Sequence, residues 1–161
     1  MKTHEEYMLL ALEEAKKAEE IDEVPVGCVV VCDGEVISRA HNLKEHYNQA
    51  YAHAEMLALQ QAATFKGNWN LQDCDLYVTL EPCMMCTGMI NLSRIRTVYY
   101  GTNDPKGGCM DSVIQLKQIK RLNHYPNIVS GVLQKECGEI LTNYFRKKRE
   151  IAKQNKLKNN V

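Results

Sequence analysis

Apolar residues recur near the start of the chain at Met8, Leu12, Ala15 and Ala18, the spacing of one helix face. Thr3 and Glu6 just ahead of them have the form of a capping box, so the chain is expected to open with an amphipathic helix. Pro25 and Gly27 end that phase. Residues 26–32 are rich in β-branched side chains and meet Asp33-Gly34, a strong hairpin turn, after which 35–38 read as the returning strand. Beyond a polar loop at 41–49, residues 53–63 read as a second helix and 76–80 as a buried third strand. Pro82 is placed to open a helix, because its fixed φ suits a first helical turn. Residues 97–101 give a fourth strand, 103–108 a loop, 128–132 a short fifth strand, and a closing helix runs from 136 to about 152. Strands alternating with helices predict an α/β layered domain with a partly parallel sheet. No repeat, low-complexity segment or linker breaks the pattern, and residues 1–161 are expected to form one domain.

Composition narrows the class and leaves the function open. A chain of 161 residues can bury a core without a metal to prop it up, and 45% hydrophobic with 25% charged residues is ordinary for a globular protein. The amino-terminal residues lack the basic segment and apolar run of a signal peptide, and no apolar stretch is long enough to span a bilayer, so a cytoplasmic protein with no membrane partner is expected. In that reducing setting the seven cysteines are expected to be metal ligands or small buried side chains. The formal net charge is zero but unevenly spread, at −5 up to Glu23 and +6 from Tyr144 onward. A basic run of this kind is either a solvated helix end or a contact for phosphates.

Two short motifs carry the chemistry: His53-Ala54-Glu55 and Pro82-Cys83-Met84-Met85-Cys86. Each stands where a helix is expected to begin. One imidazole and two thiolates make three protein ligands, the count for a catalytic zinc whose fourth position belongs to water; a structural zinc takes four. A helix amino terminus favours thiolate over thiol at Cys83 and Cys86. Glu55, two residues past His53, would point away from it on an ideal helix, yet first-turn geometry lets a long carboxylate reach the metal's side and carry protons there. A lone Cys-x-x-Cys also fits a redox pair, and a lone His-x-Glu is common; in this order, with Pro before the first Cys, they form the signature of zinc nucleobase deaminases. Cys28 and Cys32, four apart on a strand, read as core residues, and Cys74, Cys109 and Cys137 lack ligand spacing. Trp69 and the Met84-Met85 pair read as packing residues.

The chain resembles the bacterial tRNA-specific adenosine deaminases. The likeness rests on Glu23-Val24-Pro25-Val26-Gly27, Ala52-His53-Ala54-Glu55, Leu76-Tyr77-Val78-Thr79-Leu80-Glu81-Pro82-Cys83, Ser93-Arg94-Ile95 and Asn103-Asp104-Pro105-Lys106-Gly107-Gly108. The resemblance implies a three-layer α/β/α, cytidine-deaminase-like fold with a mixed five-stranded sheet. It implies a homodimer, one Zn2+ per chain, and conversion of adenosine to inosine at the wobble position of an arginine tRNA with anticodon ACG, a hydrolysis at a C–N bond of a cyclic amidine. Position by position, His53, Cys83 and Cys86 become the zinc ligands, Glu55 the proton shuttle, Asn42 a hydrogen-bonding contact to the flipped nucleoside, and Val26 and Ala54 neighbours of the base. Asp104 and Lys106 would lie in the loop that meets the anticodon stem-loop. At the carboxyl end Tyr144-Phe145 and Arg146 to Arg149 bring aromatic surface and charge together, which makes Phe145 and Arg149 candidates for contact with single-stranded RNA. Tyr51 and Tyr125 depart from the family, which often has Thr and Arg there.

Two other classes share parts of this pattern. A deaminase of a free base or nucleoside, of the guanine or cytosine type, would keep the metal motif and have no use for a basic tail. A silent RNA-binding or structural zinc module would have no need of Glu55.

Overall fold

The computed structural model describes residues 1–160. Helix α1 (His4–Glu20) starts at the expected capping box: the Thr3 hydroxyl accepts from the Glu6 amide at 3.2 Å, and the Glu6 carboxylate accepts from the Thr3 amide at 3.0 Å. Its buried stripe includes Met8, Leu12, Ala15 and Ala18. Strands β1 (Gly27–Cys32) and β2 (Glu35–His41) form the expected antiparallel hairpin, with Asp33 and Gly34 both at positive φ. Helix α2 (Lys44–Tyr47), α3 (Ala54–Lys66), β3 (Cys74–Leu80), α4 (Met84–Leu92), β4 (Thr97–Thr102), β5 (Asn127–Val129) and α5 (Gln134–Asn159) follow.

The sheet order is β2-β1-β3-β4-β5. Strand β1 runs antiparallel to both β2 and β3, whereas β3, β4 and β5 are parallel, so the sheet is mixed as expected. All six residues of β1 are buried, which explains why its apolar run shows no alternation. On one face α3 joins a core of Val30, Leu59, Leu76, Ile90 and Val98. On the other, Tyr7, Met8 and Leu12 of α1 pack with Val29, Val31, Tyr77 and Cys137 of α5. Three layers result. Gly27 lets α1 come close: a Cβ there would stand 1.9 Å from the Ala11 carbonyl oxygen.

Several expectations change in detail. Helix α2 lies inside the expected polar loop, because the buried Glu23 carboxylate accepts from the Glu45 amide at 3.0 Å and the His46 amide at 2.8 Å. A tertiary anchor makes that turn, so no local periodicity announces it. Pro82 does not open its helix; Cys83 is the N-cap, in extended conformation, and Pro82 precedes it. The fifth strand ends at Val129, since Gly131 turns the chain at φ 82° before α5. Helix α5 begins two residues early, runs through Gly138 and continues to Asn159, no Gly or Pro standing beyond that point to stop it. Trp69 and Met84 are exposed, contrary to their reading as packing residues. No helix among the described residues is long and apolar enough to cross a membrane.

Candidate active site and metal centre

The two motifs meet at the amino ends of α3 and α4. His53 is the N-cap of α3, with φ −78° and ψ 154°, and Cys83 is the N-cap of α4, with φ −75° and ψ 179°. At neither cap does the side chain accept from its helix's free N–H groups, the usual task of a capping residue. The imidazole and the sulfur turn instead toward each other. His53 Nδ1 lies 3.6 Å from Cys83 Sγ and 3.5 Å from Cys86 Sγ, and the three donor atoms all lie within 4.8 Å of one another. With Zn–S near 2.3 Å and Zn–N near 2.0–2.1 Å, the sulfur–nitrogen edge of a tetrahedral site is about 3.6 Å, so this donor set fits zinc. Among the described residues no fourth His, Cys, Asp or Glu joins the triangle.

Because His53 is extended and only Ala54 onward is helical, the two-residue offset of an ideal helix does not apply to Glu55. Both side chains line one pocket, together with Val24, Val26, Asn42, Lys44, Ala54, Leu80, Glu81, Cys83 and Asp104. Burial pushes the Glu55 carboxyl up to about 7. A hydrogen bond from Cys86, joined by one from His53, brings the Cys83 thiol down to about 4, and the same bond to Cys83 together with burial drives Cys86 upward. One thiolate is thus favoured before any metal arrives, with a carboxyl beside it that can exchange a proton near neutral pH.

The expected contact residues divide. Val26, Asn42, Ala54 and Asp104 line the pocket. Asn42 also makes its own turn: Oδ1 accepts from the Lys44 amide at 3.1 Å and Nδ2 donates to the Val24 carbonyl at 3.3 Å. Lys106 is exposed on the loop beside Asp104, away from the pocket wall. Phe145 and Arg149 are exposed on α5 and do not line this pocket. On the side of α5 toward Asp22 stand the buried Tyr144, whose hydroxyl donates to Asp22, and the exposed Lys148, whose Nζ lies 2.8 Å from Asp22 Oδ2.

Glu81 escaped the sequence reading as anything more than part of a motif. Its buried carboxylate accepts from four backbone N–H groups, those of Asp104, Met110, Asp111 and Ser112 at 2.9–3.1 Å, and from the side chains of Asn103 and Ser112. Gly108 closes over it, since a Cβ there would lie 2.2 Å from the carboxyl carbon. Burial pushes this acid upward, but the bonds from Ser112, Asp111 and Asp104 prevail and hold it near 2. Its stabilising contribution is therefore complete above the ordinary 4.5 and is lost as pH falls toward 2. Glu81→Gln is expected to lower stability by roughly 3 kcal/mol at pH 7. In denaturant titrations the gap from the parent should narrow below pH 4; parental stability at pH 7 would show the carboxylate to be idle.

Comparison with known proteins agrees with this geometry. Residues 1–102 match the model of the cytidine and deoxycytidylate deaminase zinc-binding region. The chain is 50% identical over 158 residues to the tRNA-specific adenosine deaminase of Bacillus subtilis strain 168, covering 96% of this chain and 98% of the relative. It superposes with a TM-score of 0.82 and 45% identity on a structure solved in studies of A-to-I editing by tRNA:A34 deaminases, covering 84% of this chain and 99% of that one. A guanine deaminase from Nitrosomonas europaea shares the fold, with a TM-score of 0.74 at 20% identity, covering 89% of this chain and 85% of that one. A five-stranded mixed sheet, a His-Cys-Cys triangle at two helix starts and this degree of likeness lead to one assignment: the chain belongs to the cytidine and deoxycytidylate deaminase family and, within it, to the tRNA-specific adenosine deaminases.

Proposed function

We propose that this protein converts adenosine to inosine at the wobble position of an arginine tRNA with anticodon ACG. The observation that carries this reading is Glu55, buried beside the His53, Cys83 and Cys86 triangle in a pocket also lined by Val26, Asn42 and Ala54, in a chain 50% identical to a tRNA-specific adenosine deaminase. His53, Cys83 and Cys86 would hold one zinc per chain, which when bound would supply a polarised, acidified water. Glu55 takes a proton from the water whose oxygen adds to C6 and places it on N1. It then delivers the second proton to the 6-amino group, which leaves as ammonia. Val26 and Ala54 wall the base, and Asn42 offers its amide to the nucleoside. An anticodon nucleotide in a loop reaches such a pocket at small unpairing cost.

The test is direct. Purified protein incubated with an ACG anticodon stem-loop should yield inosine at the first anticodon base by mass spectrometry, with free adenosine, guanine and cytidine unchanged. Turnover of a free base with the stem-loop untouched would transfer the site to the guanine or cytosine type.

The rim of the pocket and α5 supply the RNA contacts in this reading. Asp104 and Lys106 sit on the loop that Glu81 fastens, while Phe145 and the exposed cations Arg146, Lys147 and Arg149 face solvent on α5. Lys148 is engaged with Asp22 and is left out of the set. Neutralising Arg146, Lys147 and Arg149 together should weaken stem-loop binding and flatten its log–log salt dependence by up to about 2, at about 0.7 per lost single-strand phosphate contact. Zinc content should not change. Parental binding at every salt concentration would reduce the basic run to a solvated helix end.

A homodimer fits the surface of α4. Met84 and Leu92 are two-thirds exposed there, and Ile114, Ile119 and Leu122 line a groove with Met84 and Gly88. An apolar area of this kind on a small chain favours a second copy; light scattering should return twice the chain mass.

A further inference from the structure

Strands β1 and β3 bring together two cysteines that lie 42 positions apart in the sequence, Cys32 and Cys74, as directly opposed partners at the last step of their antiparallel ladder. Opposed residues share a face of the sheet, and both thiols are buried on the side covered by α3. Asp73, next to Cys74, turns its carboxylate to both: Cys32 Sγ lies 3.3 Å from Oδ2 and Cys74 Sγ 3.5 Å from Oδ1. The two sulfurs and the carboxylate oxygen fall within 4.8 Å of one another, the same compactness as the His53, Cys83 and Cys86 triangle. Lys66, at the last turn of α3, sets its ammonium 3.5 Å from Cys32 Sγ and pairs with Asp73.

This cluster is separate from the pocket. The pocket takes Val26 just before β1 and Leu80 at the end of β3, whereas Cys32 ends β1 and Cys74 begins β3. A six-residue strand separates the two ends by about 20 Å.

We propose that Cys32, Cys74 and Asp73 form a second metal site, for a soft divalent cation of the zinc or cadmium kind. Two sulfurs select thiophilic ions over magnesium or calcium, which take oxygen ligands. Without the ion, Lys66 pairs with Asp73. When the ion binds, both thiols lose a proton and two metal–sulfur bonds form. Two thiolates and a carboxylate around a doubly charged ion leave one net negative charge, which the nearby Lys66 ammonium balances. Because each thiol gives up its proton to the solvent as its metal–sulfur bond forms, uptake depends on pH.

The experiment starts from full-length protein carrying one zinc per chain, to which cadmium is added stepwise under equilibrium dialysis with metal counting by mass spectrometry. The parent should take up one further equivalent, and its apparent affinity should fall about 100-fold for each unit by which the pH is lowered in the range where both thiols start protonated, as two released protons require. Cys32→Ala should lose that equivalent and keep the deaminase reaction, while Cys28→Ala, buried on the same face, should keep both. In the unaltered chain the added equivalent should slow alkylation of Cys32 by iodoacetamide at least tenfold. That readout holds even if the variants fold poorly. A parent that stops at one metal, undiminished uptake by Cys32→Ala, unchanged alkylation, or a Cys32–Cys74 disulfide forming in place of metal uptake overturns the proposal.

Discussion

Glu55→Gln is expected to retain zinc and fold while losing about 10²–10⁴-fold in turnover, the usual contribution of a placed acid–base group. Glutamine keeps the volume of a side chain that is only 4% exposed, so no cavity opens. What it lacks is a proton to accept and return. Burial pushes the Glu55 carboxyl upward, meaning that the fold disfavours its charged form; the neutral amide should leave the chain at least as stable as the parent. Metal content by mass spectrometry, thermal unfolding and single-turnover deamination of the stem-loop separate the effects. Loss of zinc in step with activity would make Glu55 a ligand or a support and would falsify the proton-carrier role.

Cys83→Ala should be more severe, abolishing activity together with metal. The sulfur is one corner of a three-donor triangle with no fourth donor among the described residues to replace it. Its loss also removes the group that lies 3.6 Å from His53 Nδ1 and receives the Cys86 hydrogen bond. A metal that binds only the native state, present at a thousandfold over its dissociation constant, adds about 4 kcal/mol to stability. The variant should therefore unfold at a lower midpoint, and parent protein treated with a chelator should move toward it. His53→Ala should behave alike, whereas Cys28→Ala should keep both metal and activity. Full zinc occupancy in Cys83→Ala would overturn the ligand assignment.

The fold was legible where local chemistry dictates it. The Thr3–Glu6 box, the Asp33-Gly34 turn and the β-branched runs all act within a few residues, and each element lies where they place it. The meeting of His53, Cys83 and Cys86 was legible too, because their motifs sit at helix starts that the sequence marks. What the sequence hides is partnership across distance. Helix α2 depends on Glu23, some twenty residues upstream, and the role of Glu81 depends on backbone N–H groups whose residue types carry no signal. Cys32 and Cys74 show no ligand spacing because the ladder between β1 and β3, not the chain, makes them neighbours. The offset of Glu55 from His53 misleads for a related reason: a cap residue has left the helix, so helical arithmetic starts one position too early.

If the loop after Asn103 meets the substrate as proposed, the carboxylate of Glu81 acts on recognition as well as on stability. A loop held at four amides from one buried point has few conformations to lose when a ligand settles on it. Ordering a free backbone costs about 1–2 kcal/mol per residue. For the amides of Asp104, Met110, Asp111 and Ser112 that cost is met during folding, so in the proposed reading the rim would meet a nucleotide as a rigid template. Such a template would discriminate by shape: a strand that already bends sharply would seat against it, and a straight one would be turned away before chemistry begins.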